Sequence, residues 1–199
     1  MAGAEFWYEF ASTYSYPAAL RVAALAEARG VSLAWRPFLL GPIFASQGWR
    51  DSPFNLYPAK GRYMWRDLER TCEAMGVPFK RPEPFPQPSL LAARVALALE
   101  GEERANFSRQ VYLAEFWRGL SIADRTTLAS LLTACGIDPT ATLERAESDA
   151  NKAALKAECA RAAEIGLVGA PSIVTADGEV FWGNDRLEQA LDWAARARV

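Results

Sequence analysis

The chain has 199 residues, 51% of them hydrophobic and 23% charged, with 22 Lys+Arg against 24 Asp+Glu. This suits a globular protein able to bury a core without disulfides or a metal, and a net charge of -2 offers no general attraction to nucleic acid. The chain has no histidine, which excludes Ser-His-Asp and Cys-His nucleophiles, His-bound zinc and a His general base.

In chain order, the aromatic run over 5–11 predicts a buried strand. Ser12-Thr13-Tyr14-Ser15-Tyr16-Pro17 breaks the run and opens an Ala/Leu-rich helix that stops near Gly30. Val31 to Phe38 alternates loosely and predicts a second strand, so the opening is β-α-β.

The middle is strand-poor. Residues 60–75 predict a helix ended by Gly76, and five prolines within 78–88 predict an extended connector. The connector is alternatively a ligand for a polyproline-binding domain. Helical spacing returns over 89–100 and 103–119. Ser121 and Asp124 offer a capping-box-like start to a helix ending near Gly136; Asp138-Pro139 starts another, and 149–165 forms one more, ended by Gly166.

Strands return at the end. Ser172 to Thr175 and Glu179 to Trp182 flank the hairpin turn Asp177-Gly178, and Asn184 caps a last helix from Arg186 to about Ala197. The expected division is a thioredoxin-like α/β domain from 1–44 and 167–199, with a helical insertion over 45–166.

Met1 to Tyr16 lacks a basic region and is interrupted by Glu5 and Glu9, so no signal peptide is expected. No stretch reaches the ~18 apolar residues of a membrane span. The expectation is a cytoplasmic protein with neither membrane nor nucleic-acid partners. Cys72, Cys135 and Cys159 are odd in number and far apart, and are expected to be buried small hydrophobes without a disulfide.

Two segments carry chemistry. Ser12-Thr13-Tyr14-Ser15 lies at the mouth of the first helix, where disulfide oxidoreductases keep Cys-x-x-Cys because a helix N-terminus stabilises a thiolate. Serines at both cysteine positions exclude cysteine redox chemistry there; Ser12 is either a reacting-group donor or a plain helix cap. Gly169-Ala170-Pro171-Ser172 precedes the short strand and reads either as an ordinary turn or as a cis-proline loop that turns the preceding backbone outward for an extended peptide. Asn184 and Asp185 either cap the last helix or hold the charged end of a peptide ligand. Lys60, Arg62, Arg66 and Arg70 share a segment; such charges form a solvated face partly paired with Asp67 and Glu69, though Lys60, near Asn55 at the helix start, suits a carboxylate.

In order, the segments 6–16, 58–68, 169–172 and 181–187 resemble 2-hydroxychromene-2-carboxylate isomerases, close kin of kappa-class glutathione transferases and DsbA-type oxidoreductases. The resemblance spans nearly the whole chain. It implies a thioredoxin fold with a helical insertion, glutathione as cofactor, a small aromatic substrate and possible pairing as a homodimer. It matches Ser12 to the catalytic serine facing the glutathione sulfur, and Ala170, before Pro171, to the backbone that pairs with the cysteinyl unit. Asn184 and Asp185 match the residues holding the γ-glutamyl end, Lys60 a residue near the glycyl carboxylate, and Asn55 an active-site asparagine. Thr13 departs from the proline that often follows the serine, and Glu9 from a common aspartate. The implied reaction is reversible addition of glutathione thiolate to an unsaturated α-keto acid. A serine donor and a helix N-terminus favour that thiolate over a thiol of ordinary pKa about 8.5. A kappa-class-like transferase and a redox-inactive peptide-binding protein are the alternatives.

Overall fold

The computed structural model describes residues 3–46, 48 and 53–196, with Ser46, Pro53 and Asn55 described by backbone alone. β1 (Gly3–Tyr8), α1 (Ser15–Ala28) and β2 (Ser32–Pro37) form the opening unit. β1 is buried on both faces, so its sequence is a near-continuous aromatic run rather than an alternation. Phe6 and Tyr8 stack on one face at 5.4 Å between ring centroids and meet Trp35 of β2 edge-on. Trp7 meets Phe38 edge-on from the other face. The strand ends at Tyr8, earlier than the sequence predicts, because Glu9 turns the chain. Its carbonyl accepts from the Ser12 N–H at 3.0 Å and its carboxylate from the Ala11 N–H at 3.2 Å.

Helices follow: α2 (Leu40–Ser46), α3 (Pro53–Leu56), α4 (Pro58–Met75), α5 (Leu90–Leu97), α6 (Gly101–Leu113), α7 (Arg125–Ala134), α8 (Pro139–Glu147) and α9 (Asp149–Ile165). No strand lies between β2 and residue 172 among the described residues. α2 and α3 are additions to the sequence reading. The predicted helix over 103–119 proves to be α6 followed by a π-helical turn, Ala114–Arg118, closed by Gly119 in the left-handed region. The predicted stops hold: Gly76 and Gly166 sit at positive φ past α4 and α9. Asp124 and Asp138 cap α7 and α8 through their side chains, whereas Ser121 makes no side-chain contribution to the first of these caps.

The proline segment is an extended connector. Phe79 and Phe85 pack on Trp65 of α4, and Phe85 on Phe116. The Tyr16 hydroxyl donates to the Pro78 carbonyl, tying the segment to α1.

β3 (Ser172–Thr175) and β4 (Val180–Trp182) complete a four-stranded mixed sheet in the order β2-β1-β3-β4, with β1 and β2 parallel and the other pairs antiparallel. A 3-10 turn, Asn184–Arg186, leads into α10 (Leu187–Arg196). One hydrophobic core runs from the sheet into the helices: Phe6, Tyr8, Phe10, Val95, Phe107, Tyr112, Phe116, Leu132 and Leu191 belong to it. All three cysteines are free. Cys72 and Cys159 are buried and Cys135 is half-buried; burial pushes the Cys72 thiol up to about 11.

The core also encloses two acids. Glu115, on the π turn, is fully buried, and neither carboxyl oxygen meets a hydrogen-bond partner among the described residues. Burial, with the nearby charge of Glu9, pushes its carboxyl well above the usual range. Glu9 is pushed up by burial too, against hydrogen bonds from Ser89, Leu40, Ala11 and Phe10. A carboxyl whose folded pKa lies above its unfolded value stabilises the fold fully below the unfolded pKa and loses that stability as pH rises toward the folded one. Glu115→Gln removes this loss. Its melting temperature should therefore exceed the wild type's by more at pH 7 than at pH 4 in calorimetric scans; an equal difference at both pH values would show that Glu115 does not titrate with folding.

Candidate active site

The site is assembled at the end of β1. Ser12 and Thr13 lie in the turn that enters α1, with the Ser12 and Thr13 carbonyls accepting from the Ser15 and Tyr16 N–H groups. The cap reading of Ser12 is not realised. α1 begins at Ser15 without a side-chain cap, and the Ser12 hydroxyl instead donates to the Ala170 carbonyl at 2.8 Å. Ser12 is 9% exposed, enough to line a surface without being free of it.

The Ala170–Pro171 peptide is cis, the second of the two turn readings. The Pro171 carbonyl accepts from the Gly183 N–H at 2.9 Å, and Gly183 leads directly into Asn184. Two hydrogen bonds thus join Ser12, Ala170, Pro171, Asn184 and Asp185, residues from distant parts of the chain, into one continuous rim. The Ala170 N–H meets no acceptor among the described residues, the position in which an extended peptide would pair with it.

Asn184 is not a cap either: it is the first residue of the 3-10 turn, and its Oδ1 accepts from Arg21 Nε of α1 at 3.1 Å. Asp185 is 75% exposed, with only a long 3.8 Å approach to its neighbour Arg186. Gly183 has φ 121° and ψ 151°, a region open to glycine, and Asp185 Oδ1 occupies the space a Cβ would need, at 2.4 Å. The sequence reading passed over Gly183; its place between a strand and the Asn-Asp pair was the available signal.

α4 closes the other side. The Tyr14 hydroxyl donates to Asp67 Oδ2 at 2.9 Å. Burial, the Asp67 carboxylate and the charges of Tyr63 and Asp185 all push the Tyr14 phenol above its usual range, so it remains a donor. Arg66 pairs with Glu69 and Arg70 with Asp67, as expected of a solvated face. Lys60 is exposed in the first turn of α4, its Nζ 5.0 Å from the centre of the Tyr57 ring; no contact among the described residues ties it to Ser12 or Ala170. The side chain of Asn55 lies outside the described residues.

Gly61 sets how closely α3 approaches α4. A Cβ there would stand 2.5 Å from the Phe54 carbonyl oxygen. Backbone cannot yield as a side-chain end can, so Gly61→Ala should displace α3 and the Tyr57–Lys60 segment. The expected result is a lower melting temperature with far-ultraviolet dichroism unchanged; wild-type melting in the variant would show that α3 yields to the added methyl without cost.

Glu9 reaches the site from behind. Its Oε2 accepts from the N–H of Leu40, the first residue of α2, at 3.0 Å, so it joins the Ser12 turn to the helical block. An open cleft of about 760 Å³ lies at the other end of β1, around Gly3, Leu33 and Gly178. Its acid, Glu5, is held by Arg36 at 3.0 Å and Arg161 at 2.8 Å. No uncommitted charge there competes with the Ser12 rim.

A β-α-β and β-β-α frame around a cis proline, with a polar turn at the first helix, defines a thioredoxin-fold protein. The chain belongs to the DSBA-like thioredoxin domain family, which it matches over residues 4–193. It is 28% identical to 2-hydroxychromene-2-carboxylate isomerase of Sphingobium xenophagum over 186 residues, covering 92% of this chain and 93% of that protein. It is 25% identical to glutathione S-transferase kappa 1 of Caenorhabditis elegans over 203 residues, covering 94% and 88%. The solved structure of a 2-hydroxychromene-2-carboxylate isomerase superposes with a TM-score of 0.87 at 23% identity, covering 98% of this chain and 95% of that one. These similarities point to an enzyme, with an isomerase among its relatives. No helix among the described residues is long and apolar enough to cross a membrane.

Proposed function

We propose that the protein is a glutathione-dependent isomerase of aromatic unsaturated α-keto acids, of the 2-hydroxychromene-2-carboxylate type, acting in the cytoplasm. The observation that carries this reading is the Ser12 hydroxyl at 2.8 Å from the carbonyl of Ala170, beside a backbone N–H left unpaired. A donor hydroxyl and a helix entrance suit a thiolate. The same position holds no cysteine for disulfide exchange, and the chain holds no histidine for a general base.

The residues present fit glutathione along the rim. The Ala170 N–H would pair with the cysteinyl unit, Asn184 and Asp185 would take the γ-glutamyl carboxylate and ammonium, and Lys60, with Asn55, would serve the glycyl end. When bound, glutathione supplies a nucleophilic thiolate that adds to the conjugated double bond and leaves again after rotation. The protein's part is to bind it, to hold the thiol deprotonated and to exclude a competing thiol. Ser12 would turn its hydroxyl from the Ala170 carbonyl to donate to the sulfur. The α1 entrance favours the same negative charge. Tyr14, kept protonated with its hydroxyl donating to Asp67, adds no negative charge at the same entrance.

The test is an assay of aromatic α-keto acids with and without glutathione. Isomer formed only with glutathione, and glutathione recovered unchanged, supports the reading. A released conjugate would instead favour a kappa-type transferase, the second reading, which rests on the similarity to the nematode transferase. No turnover and no glutathione binding would leave a peptide-binding protein.

A further inference from the structure

We infer that Arg21 is the positioning residue that makes Asn184 a carboxylate receptor, and so sets selectivity for a γ-glutamyl-bearing thiol. The inference rests on the glutathione reading of the rim and adds to it a residue outside the rim.

Arg21 lies in α1, 163 positions from Asn184. Its guanidinium makes a fork. Nε donates to Asn184 Oδ1 at 3.1 Å, Nη2 donates to the Asn184 backbone carbonyl, and both Nη1 and Nη2 donate to the Glu188 carboxylate of α10. Arg21 is 24% exposed, its charge taken up by Glu188.

A guanidinium has donors and no acceptor, so the amide atom facing it must be oxygen. An asparagine side chain is otherwise free to present either end, since its oxygen and nitrogen are nearly isosteric. With Oδ1 committed to Arg21, Nδ2 is the end of the half-buried amide left for a ligand, and it meets no acceptor among the described residues. The next residue in the chain, Asp185, carries an exposed carboxylate. A donor amide beside an acceptor carboxylate is the complement of an amino-acid head: carboxylate to Asn184, ammonium to Asp185. Were the amide reversed, two acceptors would face the ligand and its carboxylate would be repelled. Arg21 thereby acts through Asn184 and has no need to touch the ligand. The pairing with Glu188 keeps its charge from becoming a general anion attractor.

The test compares two thiols by calorimetry, glutathione and cysteinylglycine, which lacks the γ-glutamyl unit. In Arg21→Met and Arg21→Lys, glutathione should bind roughly tenfold more weakly, the loss of about one charge-assisted hydrogen bond, and cysteinylglycine as in the wild type. Arg21→Lys keeps the ion pair with Glu188 and guards against a folding failure in the first variant. In turnover, KM for glutathione should rise by the same factor with kcat little changed. If both thiols weaken equally, or neither does, Arg21 only braces α1 against α10 and the inference is overturned. If wild-type protein binds neither thiol, the functional reading itself falls, a result distinct from lost selectivity in the variants.

Discussion

Under the proposed function, replacing Ser12 by Ala is expected to lower isomerase turnover at pH 7 by about tenfold, leaving glutathione binding nearly intact. The hydroxyl donates to a neutral carbonyl, that of Ala170, at 2.8 Å. Turning to a thiolate exchanges that bond for one to a charged group. Bonds to charged groups contribute about 1.5–3 kcal/mol and neutral ones about 1 kcal/mol. The difference, of order 1 kcal/mol, is a rise of about one unit in the bound thiol pKa when the hydroxyl is removed. The thiolate absorbance of bound glutathione should therefore titrate about one unit higher in Ser12→Ala, and turnover should recover as pH is raised. Ser12→Cys should not restore activity: an S–H is a weaker donor than a hydroxyl, and by exchange with oxidised glutathione the new thiolate would hold one half as a mixed disulfide and release the other as thiolate. Full turnover with an unshifted titration in Ser12→Ala would remove Ser12 from the chemistry.

Gly183→Ala is expected to damage both the fold and the rim. Alanine disfavours φ 121° with ψ 151°, and the new Cβ would stand 2.4 Å from Asp185 Oδ1. Backbone strain of this kind costs about 1–3 kcal/mol, or roughly 2–10 °C in melting temperature for a chain of this size. Relief requires the Asp185 carboxylate to leave its place, which displaces the group proposed to hold the ligand's ammonium. Glutathione KM should rise at least about tenfold. Asp185→Asn separates the two effects: it should weaken binding without the loss of melting temperature. Should Gly183→Ala melt and bind as the wild type does, neither the turn nor Asp185 has the role assigned to it.

Local chemistry made much of this protein readable from its residues in order. The aromatic run of β1 can only be buried, the glycines after α4 and α9 end their helices at positive φ, and Asp138-Pro139 starts a helix in any context. The strand-rich ends and strand-poor middle, with Gly-Ala-Pro ahead of the terminal hairpin, suffice for the thioredoxin frame and single out Ser12, Ala170 and Asn184 as candidates. What each does was decided by partners far away in sequence. Ser12 reads equally as a cap until Ala170 is placed beside it, 158 positions on. Asn184 reads equally as a cap until Arg21 takes its oxygen. Glu9 reads as a residue within the first strand, yet it lies past that strand's end and its carboxylate joins the end to α2. Glu115, one of five charged residues over 103–119, gives no local sign that it is sealed in the core. A hydrogen bond constrains two groups at once, and a single chain position displays one of them. Elements and their ends follow from neighbours within a turn or two; the direction of a side chain, and therefore its chemistry, follows from packing across the whole chain.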